Sequence, residues 1–197
     1  MKRLPNHLLL AIALILPTAA VACSGTPAPE PAPRPDVTSP KRYAIDELRL
    51  ELPGNWSGVW VGFDDETNNR YARFEADLER PGQLELEVRV DVAFVDQSVT
   101  LSEWAAAKYA SQPNVALLGT PTYSAFELSP SIQAYATRYR DDRFPVGDLN
   151  RDRLQLVAIR GCGRGWSCYA STTTVDANRE AAEAGIRLML ESMTYTL

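Results

Sequence analysis

The sequence predicts an α+β domain in which a largely antiparallel sheet is flanked by helices. Three observations carry this. Apolar and polar residues alternate over many short stretches, most strictly at Leu84, Leu86, Val88, Val90 and Val92, the period of strands with one buried face. Turn signals such as Pro53-Gly54-Asn55 and Arg80-Pro81-Gly82 separate successive runs, so the chain reverses between them. Two stretches, opening at Thr100 and at Asp176, carry helix signatures.

Taken in order, Leu48, Leu50 and Leu52 alternate with Arg49 and Glu51 and predict a strand, followed by a turn and Trp56. Val59–Phe63 is a second short apolar run, and Asp64-Asp65-Glu66 with Asn68-Asn69 makes a polar loop. Tyr71–Leu78 alternates again, before the run ending at Val92. Thr100-Leu101-Ser102-Glu103 is a capping box, in which each end satisfies the other's backbone amide. The helix it opens should stop before Pro113. Strands are expected near 115–118, 123–128 and 132–139. Residues 140–153 read as a charged, solvated loop, with Pro145 and Gly147. Leu154–Arg160 and Ser167–Val175 form strands joined by the tip Gly161-Cys162-Gly163-Arg164-Gly165-Trp166. Asp176 can cap the last helix. There Ala182, Ile186, Met189 and Met193 recur at helical spacing and should face the sheet. Residues 195–197 can add a final strand.

The first 22 residues have the layout of a secretory signal: Lys2 and Arg3, an apolar run from Leu8 to Leu16, then Pro17 and small residues. The run is too short to span a bilayer, which takes roughly 20 residues. Ala20-Val21-Ala22-Cys23 resembles a bacterial lipobox, departing from it at Ala20, where leucine is favoured. On that reading Cys23 is lipidated and becomes the mature N-terminus. The same residues fit an Ala-x-Ala cleavage site, which would release a soluble chain. The lipobox resemblance implies three acyl chains, each buried methylene contributing about 0.8 kcal/mol. Ser24 after the cysteine implies an outer-membrane lipoprotein facing the periplasm in a Gram-negative cell, and otherwise the outer face of the cell membrane. Residues 23–42 follow as the lipidated cysteine and its tether. Six prolines between Ser24 and Arg42 favour an extended spacer reaching about 60 Å. Residues 43–197 remain for one globular domain.

Without residues 1–22 the chain carries 18 basic residues (20 less Lys2 and Arg3) against 25 acidic ones. An acidic chain lacks the electrostatic footprint for nucleic acid. His7 is the only histidine and falls in the signal. Ser-His and Cys-His catalysis are thereby excluded from the mature chain, and no catalytic residue, metal ligand set or cofactor motif is assigned. With Cys23 lipidated, Cys162 and Cys168 remain as a pair, most simply a disulfide in an oxidising compartment.

The ordered set of elements resembles the PsbP-like family on three stretches. These are Leu48-Arg49-Leu50-Glu51-Leu52-Pro53-Gly54-Asn55-Trp56, Ala134-Tyr135-Ala136-Thr137-Arg138-Tyr139, and the long hairpin 154–174 with its helix and Glu191-Ser192-Met193-Thr194. The resemblance spans residues 43–197 and implies an α/β/α sandwich, shared with a Ran-binding nuclear import factor. Met193 stands where the family favours Phe, and Cys162 and Cys168 lie outside its general pattern. Cyanobacterial members are lumenal lipoproteins that assist photosystem II assembly, so that role is implied if the source is cyanobacterial.

The leading candidate site is the hairpin tip. A Cys162–Cys168 disulfide would stiffen it and present Arg164 and Trp166, residue types that dominate binding hot spots. The other reading is a stapled turn with Trp166 folded onto the sheet. Trp56 and Trp60 either line a ligand groove or belong to the core. Asp64-Asp65-Glu66, with Asp148 or Asp152, offers hard oxygen ligands or a solvated loop. The expected function is a non-enzymatic, membrane-tethered binding or assembly module whose partner is an envelope or membrane protein complex. The alternative is a carrier for a small molecule or metal ion.

Overall fold

The computed structural model describes residues 31–45, 48–63, 72–77, 87–93, 100–163 and 166–195; for 57–63, 72–77 and 87–93 the description is of the backbone. Residues 45, 48, 163, 166 and 195 are likewise described by their backbone. Ten strands and two α-helices are present among the described residues: β1 Lys41–Ile45, β2 Leu48–Leu52, β3 Ser57–Phe63, β4 Ala72–Asp77, β5 Glu87–Ala93, α1 Leu101–Ala110, β6 Thr122–Ser129, β7 Ile132–Arg140, β8 Asp152–Gly163, β9 Trp166–Val175, α2 Arg179–Ser192 and β10 Thr194–Tyr195. A seven-stranded antiparallel sheet has the order β3-β4-β5-β9-β8-β7-β6, and a small sheet the order β1-β2-β10. The α+β class with a largely antiparallel sheet is therefore present.

The two helices cover opposite faces of the large sheet, as strand parity dictates. Leu154, Leu156, Ala158, Ala134, Ala136, Cys168 and Ala170 are buried on the face packed by α2, with Ala182, Ile186, Met189 and Met193 of the α2 segment. The helical periodicity of Ala182, Ile186 and Met189 thus has its expected consequence, while Met193 is buried just past the end of α2 in extended conformation. On the other face α1 brings Trp104 onto Tyr169, with ring centroids 4.2 Å apart, and Tyr109 edge-on to Tyr139 at 5.1 Å. The capping box forms: Thr100 Oγ1 accepts from Glu103 N–H at 3.2 Å, and Glu103 Oε2 accepts from Thr100 N–H at 2.7 Å.

Trp56 is 1 % exposed and belongs to the core rather than to a groove. Its indole lies against Gly185 of α2, where any Cβ would collide with the ring. Gly185 makes room for it, so the helix approaches closely at that point.

Several expectations are corrected. The stretch up to residue 42 is not all free spacer. Ala32 is buried, and the chain from there on is laced to the turn after β2. Asp36 N–H donates to Asn55 Oδ1 at 2.8 Å, Gly54 N–H to Asp36 O at 2.8 Å, and Asn55 Nδ2 to Arg34 O at 2.9 Å. Gly54 is required there because a Cβ would meet the Ser39 carbonyl. A proline-rich stretch can dock as well as float.

Residues 115–118 do not form a strand. Val115–Leu117 is a 3₁₀ turn entered through Asn114 in the left-handed region, and Leu118 makes only a single bridge to Asp141. Its apolar residues alternate with nothing, since Val115 and Leu117 both stay exposed. Asp176 does not cap α2. Arg138 Nε and Nη2 draw its carboxylate away at 3.0–3.1 Å. Residues 176–178 form a 3₁₀ turn, and Asn178 occupies the cap position without a side-chain cap bond.

The charged loop after β7 is built rather than merely solvated. Asp141 is buried and accepts from Arg143 N–H at 3.1 Å, Nε at 2.8 Å and Nη2 at 2.5 Å. Arg151 Nη2 donates to Asp142 Oδ1 at 2.6 Å, and Asp141 N–H to Arg151 O at 2.7 Å, which closes the loop on itself.

Candidate functional site at the hairpin end

The β8–β9 hairpin is the longest among the described residues, with 12 and 10 residues in its strands. At roughly 3.3 Å per residue β8 extends about 40 Å. Cys168 is fully buried on the α2 face and Cys162 packs half-buried against the same core. Their sulfurs are at disulfide distance, with Cα atoms 5.7 Å apart, a separation that suits a disulfide.

The two cysteines are not directly opposed. Cys168 faces Arg160 in the ladder, and the register shifts between Gly161 and Gly163. Cys162 is the extra residue of that bulge. A bulge twists the strand and re-aims the side chain, bringing its sulfur back over Cys168.

Arg160 is the residue that sequence reasoning passed over. It follows Leu154, Leu156 and Ala158 at period 2, so strand parity alone puts it under α2. Its Nη1 donates to the carbonyl of Leu190 and, at 2.8 Å, to that of Glu191. These are unsatisfied carbonyls of the last helical turn, where a cation is favoured by the helix dipole. The base of the hairpin end is thus held twice, by the cysteine pair across the ladder and by the arginine to the helix. Arg164 and Gly165 lie outside the described residues, and of Trp166 only the backbone, the first residue of β9, is described.

The other expected positions separate. Asp64-Asp65-Glu66 falls outside the described residues, as does Cys23. Asp148 accepts from the Asn150 N–H at 2.8 Å, and Asp152 lies 3.7 Å from Arg140 with its side chain 85 % exposed. Among the described residues no three histidine, cysteine or carboxylate side chains converge. Trp60 is described by its backbone only. Ser129 and Ser131 face each other at 3.4 Å, on the turn between β6 and β7. No helix among the described residues is long and apolar enough to cross a membrane.

No protein-family model matches the chain, and no curated protein matches it. What the fold and this site define is an α+β domain with a long hairpin in the middle of its sheet, tied at its end by the cysteine pair and by Arg160.

Proposed function

We propose that this chain is a bacterial lipoprotein, anchored through Cys23, that serves as a non-enzymatic binding or assembly module in the cell envelope. Its fold is of the PsbP-like kind, an α/β/α sandwich; helices on both faces of an antiparallel sheet support that reading. The observation that carries the function is the double brace beneath the hairpin turn, Cys162 with Cys168 and Arg160 with the end of α2. A surface held in one conformation loses little entropy on association. The turn it supports contains Arg164 and adjoins Trp166, types that anchor interfaces. In a photosynthetic cell the partner would be photosystem II during assembly.

The carrier reading loses its groove at Trp56, because the indole is sealed in the core. An enzymatic role has no histidine to draw on beyond His7.

The test is photo-crosslinking from position 166 in living cells, with adducts identified by mass spectrometry. One recurrent envelope protein, lost when Arg164→Ala is introduced, is the expected result. Absence of any adduct at 166 would reduce the tip to a stapled turn and return weight to a carrier.

A further inference from the structure

We propose that the opposite end of the domain, carrying the loop between β7 and β8, rests on the membrane surface, with Val146 and Leu149 entering the boundary between headgroups and acyl chains. This rests on the reading of Cys23 as acylated.

Four of the six exposed large hydrophobics among the described residues sit on two loops at this end: Val146 at 86 % exposure, Leu117 at 51 %, Leu149 at 49 % and Val115 at 38 %. The loops are joined to each other, since Asp142 N–H donates to Leu117 O at 3.1 Å. Single exposed apolar side chains are ordinary, but their concentration at one end marks a contact surface. The start of the presenting loop is fixed by the buried Asp141 carboxylate and its Arg143 clamp.

The place where the N-terminal segment docks selects the membrane as the occupant. Ala32 N–H is bound by Asn178. Asp176 and Ala177, immediately before it, line a cleft of about 570 Å³ together with Val146, Gly147 and Leu149. Cys23 is nine residues from Ala32 (32 − 23). Nine residues fully extended span no more than about 32 Å. The docking point is therefore held within that distance of the acyl chains, on the side where the apolar loops project. The far end of β8, at Gly163, lies about 40 Å away along the strand. Charge does not drive this contact. Residues 138–153 carry five arginines and four aspartates, and Asp176 pairs with Arg138. A neutral surface docks by its apolar residues, so the contact should persist at high salt.

The test uses the mature full-length protein in phosphatidylethanolamine–phosphatidylglycerol vesicles with brominated phosphatidylcholine as quencher. An environment-sensitive fluorophore is placed at Val146→Cys or, as control, at Ser131→Cys on the exposed β6–β7 turn at the tip end. Mass spectrometry of the N-terminal peptide is run on the same preparation. About a twofold loss of fluorescence is expected at 146, as for a side chain at the headgroup–acyl boundary, with none at 131, at low and high salt alike. Adding Leu149→Asp should abolish the loss. Acylated protein with an unquenched probe at 146 overturns the inference and leaves the anchor standing. Equal quenching at both positions overturns it as well, since the domain would lie on its side. Cys23 without acyl chains overturns the anchor reading and this inference with it.

Discussion

The backbone N–H of Ala32 donates to the Asn178 side-chain oxygen at 2.6 Å across 146 residues of sequence, and both groups are buried. The same amide reaches the other way, Nδ2 donating to Thr174 Oγ1 at 3.0 Å. One side chain thus joins the N-terminal segment, β9 and the start of α2. Asn178→Ala should leave the Ala32 N–H without its acceptor, at a cost of about 1–3 kcal/mol. Residues 32–40 should then become open to protease. Denaturant midpoints and limited proteolysis check this; an unchanged midpoint with an unchanged cleavage pattern would show that the lacing to Asn55 holds the segment alone.

The cysteine pair should matter modestly. A link between residues six apart closes a short loop and contributes about 2 kcal/mol by the chain-entropy estimate. Cys162→Ala with Cys168→Ala should lower stability by about that amount while the domain stays folded, because Arg160 still ties the hairpin to α2. Urea unfolding of the oxidised protein, the reduced protein and the variant measures it. Loss of the whole folding transition on reduction would mean that the pair holds more than the hairpin end.

Asp141 sets an acid limit. The Arg143 guanidinium holds its carboxyl below the ordinary 3.8, against the opposing effect of burial. A group whose folded-state value is depressed stabilises the fold fully above its unfolded value and loses that contribution as pH falls through the folded one. The loop should therefore be stable at neutral pH and loosen below about pH 3.8. Asp141→Asn should cost on the order of 1 kcal/mol at pH 7, since Arg143 keeps 40 % of its side chain in solvent, and should flatten the acid limb of the stability profile. Thermal melts from pH 2 to pH 7 decide it: a variant with an acid limb as steep as the parent's would move the transition to other carboxylates.

The sequence revealed elements wherever a local rule governed them. The strand periods of Leu50 and Leu52, the Thr100–Glu103 box and the helical spacing of Ala182, Ile186, Met189 and Met193 all follow from one face meeting one core. It misled where a distant residue outbid the local one. Asp176 looks like a cap until Arg138, 38 positions away, takes its carboxylate. Residues 32–40 look like spacer until Asn55 and Asn178 bind their backbone. At the hairpin end the two cysteines were legible as a pair by their proximity alone. The bulge that lets them meet lies between Gly161 and Gly163, a residue type that marks bulges, but its place is set by the register of the ladder.

The position of β9 between β5 and β8 has a consequence for how the molecule can be assembled and cut. Strands β3–β5 are neighbours in sequence and in space, and so are β6–β9. The two halves share one ladder, in which Ala93 pairs with Ser167. That ladder closes a loop of 74 residues (167 − 93), and such closure contributes an entropic cost that local hairpins do not carry. Any fragment ending before residue 166 lacks β9, leaving β5 and β8 as open edges, the kind of surface on which chains aggregate. An emerging chain therefore meets its most exposed moment late, with eight of the ten described strands already made and the strand that joins them still to come.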